Sequence, residues 1–279
     1  MTAGEPISCT LCPHHCSLAS GAVGFCRARE NAGGKIADRN YGLLTALALD
    51  PIEKKPLRRF HPGSVILSVG SFGCNLHCPF CQNASISQAG KEAARLKVLP
   101  RQLLQLALEY KRKAGNIGVA FTYNEPLVGY EYVRDCARLL KEKGLATVLV
   151  TNGMIDSRAW QDLLPFVDAA NIDLKGFTPD FYHWLQGNLE TVKTNIRLAV
   201  AAGCHVEVTT LVIPGKNDSD REMMQEAAWL ASLSPELPLH LSRCFPRWQL
   251  DIPATPVPAI YHLAAVARKW LQYVYEGNC

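Results

Sequence analysis

Gly73-Cys74-Asn75-Leu76-His77-Cys78-Pro79-Phe80-Cys81-Gln82-Asn83 is the stretch around which the 279-residue chain is organised. It follows directly on the apolar run Val65-Ile66-Leu67-Ser68-Val69, which reads as a buried strand. Three cysteines at Cys-x3-Cys-x2-Cys spacing in such a loop can hold three irons of a [4Fe-4S] cube through their thiolates. The fourth iron is then left without a protein ligand. That open corner can chelate a small molecule through an amine and a carboxylate. A structural zinc site takes four protein ligands, so the competing zinc knuckle would have to recruit His77.

Outward from this loop the chain alternates. Apolar, β-branched runs at 65–69, 117–121, 145–150, 169–174, 205–213 and 239–242 are separated by stretches with helical spacing. Leu103, Leu104, Ala107 and Leu108 form one stripe after Pro100, and Val133, Cys136, Ala137 and Leu140 form another. Val192, Ile196, Ala199 and Val200 repeat the pattern, as do Met223, Ala227, Leu230 and Ala231. A final helix is expected from about Ala259 to Tyr275. Six strand–helix units in series predict an α/β fold with a parallel sheet and helices outside, as an open sheet or a partial barrel.

Carboxyl ends of parallel strands share one rim, where ligands bind in such folds. After the cysteine loop, the later strands run into Thr122-Tyr123-Asn124-Glu125-Pro126, Thr151-Asn152-Gly153, Asn171-Ile172-Asp173-Leu174-Lys175, Thr209-Thr210 and Ser242-Arg243-Cys244. Any one of these can be an ordinary turn. Together with three thiolates they suit a zwitterionic ligand. Glu125 is the candidate acceptor for an ammonium and Lys175 the candidate partner for a carboxylate. Asp173 can hold Lys175 or ribose hydroxyls, and Asn124, Thr151 and Asn152 can hydrogen-bond a sugar or the amino-acid portion. A purely structural Asp173–Lys175 salt bridge is the competing account.

A second cluster, Cys9-x2-Cys12-x3-Cys16 closed by Cys26, lies among Pro13 and glycines that cannot build a core. Such a segment needs a bound ion to order it. Zinc, a single iron and an auxiliary iron–sulfur cluster remain open, though the spacing lacks the paired knuckles of common zinc ribbons. Cys136, Cys204, Cys244 and Cys279 are scattered and read as small apolar residues. Eleven cysteines without an apolar signal core or bilayer-length run point to a reducing, cytoplasmic setting. The net charge of +4 is dispersed, so neither nucleic acid nor membrane is an expected partner. Lys54-Lys55 and Arg58-Arg59, the nearest approach to a basic run, are read as solvated, and residues 27–60 as an ordered lead-in without chemistry of their own.

These residues resemble a known family. Cys12-Pro13-His14-x-Cys16, Gly24-x-Cys26, Asp50-Pro51-Ile52-Glu53-Lys54-Lys55-Pro56, Gly73-Cys74-Asn75, Cys81-Gln82-Asn83, Asp173-Leu174-Lys175 and Ile213-Pro214-Gly215 span nearly the whole chain. Their combination is similar to radical S-adenosylmethionine (SAM) enzymes of the pyruvate formate-lyase activating-enzyme superfamily, and within it to those of the AmmeMemoRadiSam system. The resemblance implies a partial (β/α)6 TIM-like barrel over residues 61–279, preceded by a four-cysteine metal-binding segment and lead-in over residues 1–60. It implies a [4Fe-4S] cluster on Cys74, Cys78 and Cys81 and reductive cleavage of SAM to a 5′-deoxyadenosyl radical that takes a hydrogen atom from a substrate. An electron donor such as flavodoxin or ferredoxin, and in some members a protein substrate, would be partners. The chain departs from the activases in three respects. Tyr123 and Asn124 replace a glycine pair before Glu125, Val150 stands where an Asp often precedes Thr-Asn-Gly, and Phe245 falls where a histidine is common. A glycyl-radical activase is therefore one reading, hydrogen abstraction from another substrate a second, and a non-catalytic metal-binding protein a third.

Overall fold

The computed structural model describes residues 5–279. Eight strands form one sheet: β1 (Ala46–Pro51), β2 (Val65–Gly70), β3 (Gly118–Phe121), β4 (Ala146–Thr151), β5 (Ala169–Asp173), β6 (His205–Val212), β7 (Leu239–Arg243) and β8 (Val274–Gly277). They lie side by side in chain order, and all pairs from β2 to β8 are parallel. Only β1 runs antiparallel, against β2, with Ala46 opposite Gly70. The six expected strands are thus the central six. The sheet ends at β1 and β8 without closing, as in the expected partial barrel.

The helices cover one face. The six longest are α1 (Pro100–Ala114), α2 (Tyr130–Glu142), α3 (Ser157–Leu163), α4 (Leu189–Ala201), α5 (Asp220–Leu233) and α6 (Val257–Ala267), and two short helices span Ala84–Ser87 and Pro179–Trp184. Pro100 opens α1 at its first turn, and Gly115 closes it at φ +70° in the left-handed region that ends helices. Asn188 and Ser219 cap α4 and α5 by accepting from the Thr191 and Glu222 N–H groups, each cap contributing about 1 kcal/mol. Leu103, Val133, Leu140, Ile196 and Leu230, read from their spacing as buried stripes, are buried.

Strand alternation sorts the residues by face. Leu67, Val119, Leu149, Ala170 and Val208 pack beneath the helices. Their strand neighbours point the other way, into the barrel: Ile66, Ala120, Val148 and Ala169 form a small apolar floor with Ile52 and Leu57. Above that floor the interior turns polar, with Asn171 opposite Glu207 and Asp173 opposite Thr209, which is in turn opposite His240.

Two expectations are corrected. The last helix stops at Ala267, because Tyr273-Val274-Tyr275 is a β-favouring run that pairs with β7 as an eighth strand. Residues 51–60 keep Lys54, Arg58 and Arg59 exposed, as read from the sequence, but not Lys55, and they are more than a lead-in. They leave edge strand β1 and cross the barrel interior, where the Pro56 carbonyl accepts from Asn171 Nδ2 at 2.9 Å. The Arg58 and Arg59 N–H groups donate to Glu207 at 3.0 and 2.8 Å. Lys55 is buried because Asp50 on β1 is within 2.9 Å of its ammonium, and the Arg59 guanidinium stacks 3.7 Å from the Tyr273 ring. Among the described residues no helix is long and apolar enough to cross a membrane.

Candidate active site

Strand β2 delivers its loop to the carboxyl rim, and a glycine fixes the entry. Gly73 sits at φ +90°, and a Cβ there would lie 2.4 Å from the Cys26 carbonyl oxygen, so only glycine lets the N-terminal segment pack against the loop. Beyond it, Cys74, Cys78 and Cys81 line one cavity of about 630 Å³ together with Asn124, Glu125, Asn152, Asp173 and Lys175. That volume suits a nucleoside-sized ligand.

The three sulfurs are set up as ligands. The Leu76 N–H donates to Cys74 Sγ at 3.4 Å, Asn152 Nδ2 stands 3.7 Å from the same atom, and Ser87 Oγ lies 3.2 Å from Cys81 Sγ. Burial pushes the Cys78 thiol up to about 12, against the nearby Lys175 charge, and burial also raises Cys74. Ionised thiolates in so dry a site need metal charge beside them, so the donor set fits an iron–sulfur cluster. His77 does not complete a zinc knuckle: its Nδ1 lies 3.1 Å from Gln88 Oε1, and its ring packs on Trp248.

Glu125 follows β3 and is buried. Its carboxylate accepts from the Leu127 N–H at 2.9 Å, Thr151 Oγ1 at 2.7 Å and the Asn152 N–H at 2.7 Å. Burial nonetheless outweighs those bonds and pushes its carboxyl up to about 7. A cation arriving in the cavity would offset that burial. Asp173, at the end of β5, is 2.7 Å from the Lys175 ammonium, so the salt bridge weighed from the sequence is present. Asp173 and the sulfurs of Cys78 and Cys81 raise Lys175 although burial opposes its charge.

Two of the expected contact residues are committed to the chain itself. Thr151 does not line the cavity; it donates to Glu125 and accepts from the Gly153 N–H. The Asn124 side chain accepts from the Ser71 N–H and donates to the Gly73 carbonyl, holding the base of the cysteine loop. Tyr123, which stands where a glycine was expected, adopts φ +73° and donates its hydroxyl to Asp50 Oδ2 at 2.7 Å. Lys55 and Tyr123 bonds, outweighing burial, hold the Asp50 carboxyl well below its usual range.

Sequence reading missed this Asp50–Lys55–Tyr123 group and the interior carboxylate Glu207. Glu207 accepts from His205 Nε2 at 2.9 Å and His240 Nε2 at 2.6 Å besides the Arg58 and Arg59 N–H groups. The signal was the polar period-2 series His205, Glu207, Thr209 alternating with Val206 and Val208.

The N-terminal cysteines are separate. Cys9, Cys12, Cys16 and Cys26 line an enclosed void of their own, behind the cysteine loop, closed by Asn75, Leu127, Val128 and Met154.

A family model described as Radical SAM superfamily matches residues 68–228. An uncharacterised protein of Methanocaldococcus jannaschii is 38% identical over 277 residues, covering 98% of this chain and 81% of that one. A pyruvate formate-lyase-activating enzyme of Clostridium pasteurianum is 27% identical over 157 residues, spanning 56% of this chain and 65% of the activase. Among solved structures, a radical SAM methyltransferase from Sphaerobacter thermophilus shares the fold with a TM-score of 0.60 and 20% identity, over 78% of this chain and 67% of that chain.

Proposed function

The chain belongs to the radical SAM superfamily, and from that premise we propose that it cleaves SAM reductively at a [4Fe-4S] cluster held by Cys74, Cys78 and Cys81 and abstracts hydrogen from a second substrate in the same cavity. The observation that carries this reading is the convergence of three thiols, an acid and a cation on one cavity at the carboxyl rim of a parallel sheet. The bound cluster and SAM supply the electron transfer and the 5′-deoxyadenosyl radical. The chain's residues orient and exclude water.

In this reading Glu125 accepts the SAM ammonium, its carboxylate aimed by Thr151 and the Asn152 N–H. Lys175, held by Asp173, faces the SAM carboxylate, and Asn152 lies between Cys74 and that region. The cavity continues past these groups to Lys55, Thr209, His240 and Tyr275, which leaves room for the second substrate. A low-potential one-electron donor of the flavodoxin or ferredoxin class would reduce the cluster, and eleven free thiols suit a reducing compartment such as the cytoplasm.

A second reading, glycyl-radical activation of a partner enzyme, is favoured by the Clostridium pasteurianum activase likeness. Incubating the reduced, oxygen-free protein with SAM tests both. Deoxyadenosine formation supports SAM cleavage and its absence rejects it. A backbone radical on an added glycyl-radical enzyme, seen by electron paramagnetic resonance, selects the second reading.

A further inference from the structure

We propose that the second substrate is a small molecule bearing an anionic group, a carboxylate or a phosphate, and that the buried ammonium of Lys55 anchors it. The inference rests on the first reading above, in which one cavity holds SAM and a hydrogen donor side by side. Lys55 is 2% exposed, yet it lines that cavity. A buried ammonium is costly unless opposite charge and hydrogen bonds surround it. Its ion-pair partner is Asp50, 2.9 Å away at Oδ2, and its other neighbour is the Tyr123 ring, with the centroid at 4.8 Å. That carboxylate is shared. Tyr123 donates its hydroxyl to the same oxygen at 2.7 Å, and Lys54 stands 3.5 Å from Oδ1. Two ammonium groups divide one carboxylate, so the group is left net positive.

The pair is also oriented. Lys55 faces the cavity, whereas Asp50 stands on β1 outside its lining. Across the barrel the arrangement repeats. His240 lines the cavity, and Glu207, which pairs with its Nε2 at 2.6 Å, does not. Lys54 and Arg58 line it from the same segment as Lys55. Two lining acids away from the cysteines are already engaged: Glu53 accepts from the Gly63 N–H at 2.7 Å, and Glu276 is 2.7 Å from the Arg268 guanidinium. Glu125 and Asp173 belong with the cysteines, where Asp173 is matched by Lys175. The free space beyond the SAM residues therefore sees cations in front and carboxylates behind, and it suits an anion.

Both partners of the pair show the imbalance. Burial acts to raise the Asp50 carboxyl, but bonds from Lys55 and Tyr123 outweigh it and hold it low; burial lowers Lys55 although Asp50 opposes it. Three donors converge on Asp50, while one acid serves Lys55. An anion entering the cavity would give the ammonium a second, charge-assisted partner without further desolvation of the lysine. Sealed from the surface, that ammonium is reached by a ligand that enters the cavity, not by the face of a docked protein.

Deuterium transfer tests the inference. Small molecules extracted from deuterated cells that make this protein are split on an anion-exchange column, and each fraction is added to the reduced, oxygen-free protein with SAM. Deuterium is expected in deoxyadenosine with the retained fraction. Phosphatase treatment then separates the two chemistries: transfer lost assigns a phosphate, transfer kept a carboxylate. Lys55→Met paired with Asp50→Asn, which leaves no buried charge unmatched, should cut transfer at limiting extract by roughly 10–100-fold, and Lys55→Arg alone should lose less. Without reductant, the retained fraction should raise the melting temperature of the intact protein and not that of the double variant. Transfer from the unretained fraction alone, transfer from no fraction, or equal transfer by the folded double variant overturns the inference. Fractionation on the intact chain decides the substrate class even should both variants fail to fold. Deoxyadenosine formed without deuterium from the retained fraction sinks this inference and leaves SAM cleavage standing; no deoxyadenosine with any fraction sinks the proposed function, and this inference with it.

Discussion

The two cysteine groups sit back to back and differ in what surrounds them. Cys74, Cys78 and Cys81 are set in the wall of a large cavity, with Glu125 and Lys175 facing the same space. The N-terminal four are enclosed by Asn75, Leu127, Val128 and Met154, with Arg29 as the charged group beside them. Three ligands beside a polar cavity would leave a reactive vertex, whereas four ligands in an apolar pocket would saturate a metal. Ligand number and enclosure, more than cysteine content, separate a reactive site from one that organises the chain around it.

The largest effects should come from the triad. Replacing any one of Cys74, Cys78 or Cys81 by alanine is expected to abolish deoxyadenosine formation; full cleavage by any of the three would contradict the ligand assignment. Cys9→Ala or Cys26→Ala should remove the N-terminal metal and lower the melting temperature, yet leave part of the SAM cleavage. Deoxyadenosine assays on well-folded variants distinguish the groups. Complete loss from a folded Cys9→Ala protein would erase the proposed division of labour and tie the enclosed metal to the chemistry.

Within the cavity the effect should be graded. Glu125→Gln keeps the shape but loses the charge offered to an ammonium, a loss of about 1.5–3 kcal/mol. SAM binding should weaken by roughly 10–100-fold, read by titrating the cluster's resonance signal. The same change should leave any metal held by the N-terminal quartet untouched. Unaltered SAM affinity would show that the three internal hydrogen bonds of Glu125 are its whole role.

Legibility in the sequence followed physical range. The six central strands and the triad were readable because their signals are local: apolar runs between helical stripes, and a three-cysteine spacing. The edge strands were not. Ala46–Pro51 carries Asp50 and Pro51, and its place is set by pairing with β2 and by burial of the Asp50–Lys55 pair. Lys55 read as solvated because its carboxylate partner and the Tyr123 hydroxyl that shares Asp50 are brought together only by the fold. Thr151 and Asn124 both stand at the rim, and which atom a rim side chain serves depends on neighbours from other strands.

The smallest effect probes the polar barrel interior around Glu207, which belongs to neither cysteine group and should respond alike in both sets of variants. Burial pushes the Glu207 carboxyl up, but bonds from His205, His240 and the Arg58 and Arg59 N–H groups outweigh it and bring it down from 4.5 to about 2. The folded protein then binds fewer protons than the unfolded chain across that interval, so stability rises with pH there. The contribution is fully present above about pH 4.5 and is lost as pH falls towards 2, a loss on the order of 3 kcal/mol. Denaturant unfolding between about pH 5 and 2.5 should show this slope in the intact chain and in the Cys9→Ala and Cys74→Ala variants alike. Glu207→Gln should be less stable at neutral pH, because an amide turns two donors towards groups that themselves donate, and its acid slope should be shallower. A slope unchanged by Glu207→Gln would assign the acid loss to other carboxylates. A slope that differed between the two cysteine variants would show that the Glu207 region is coupled to one cysteine group and not the other.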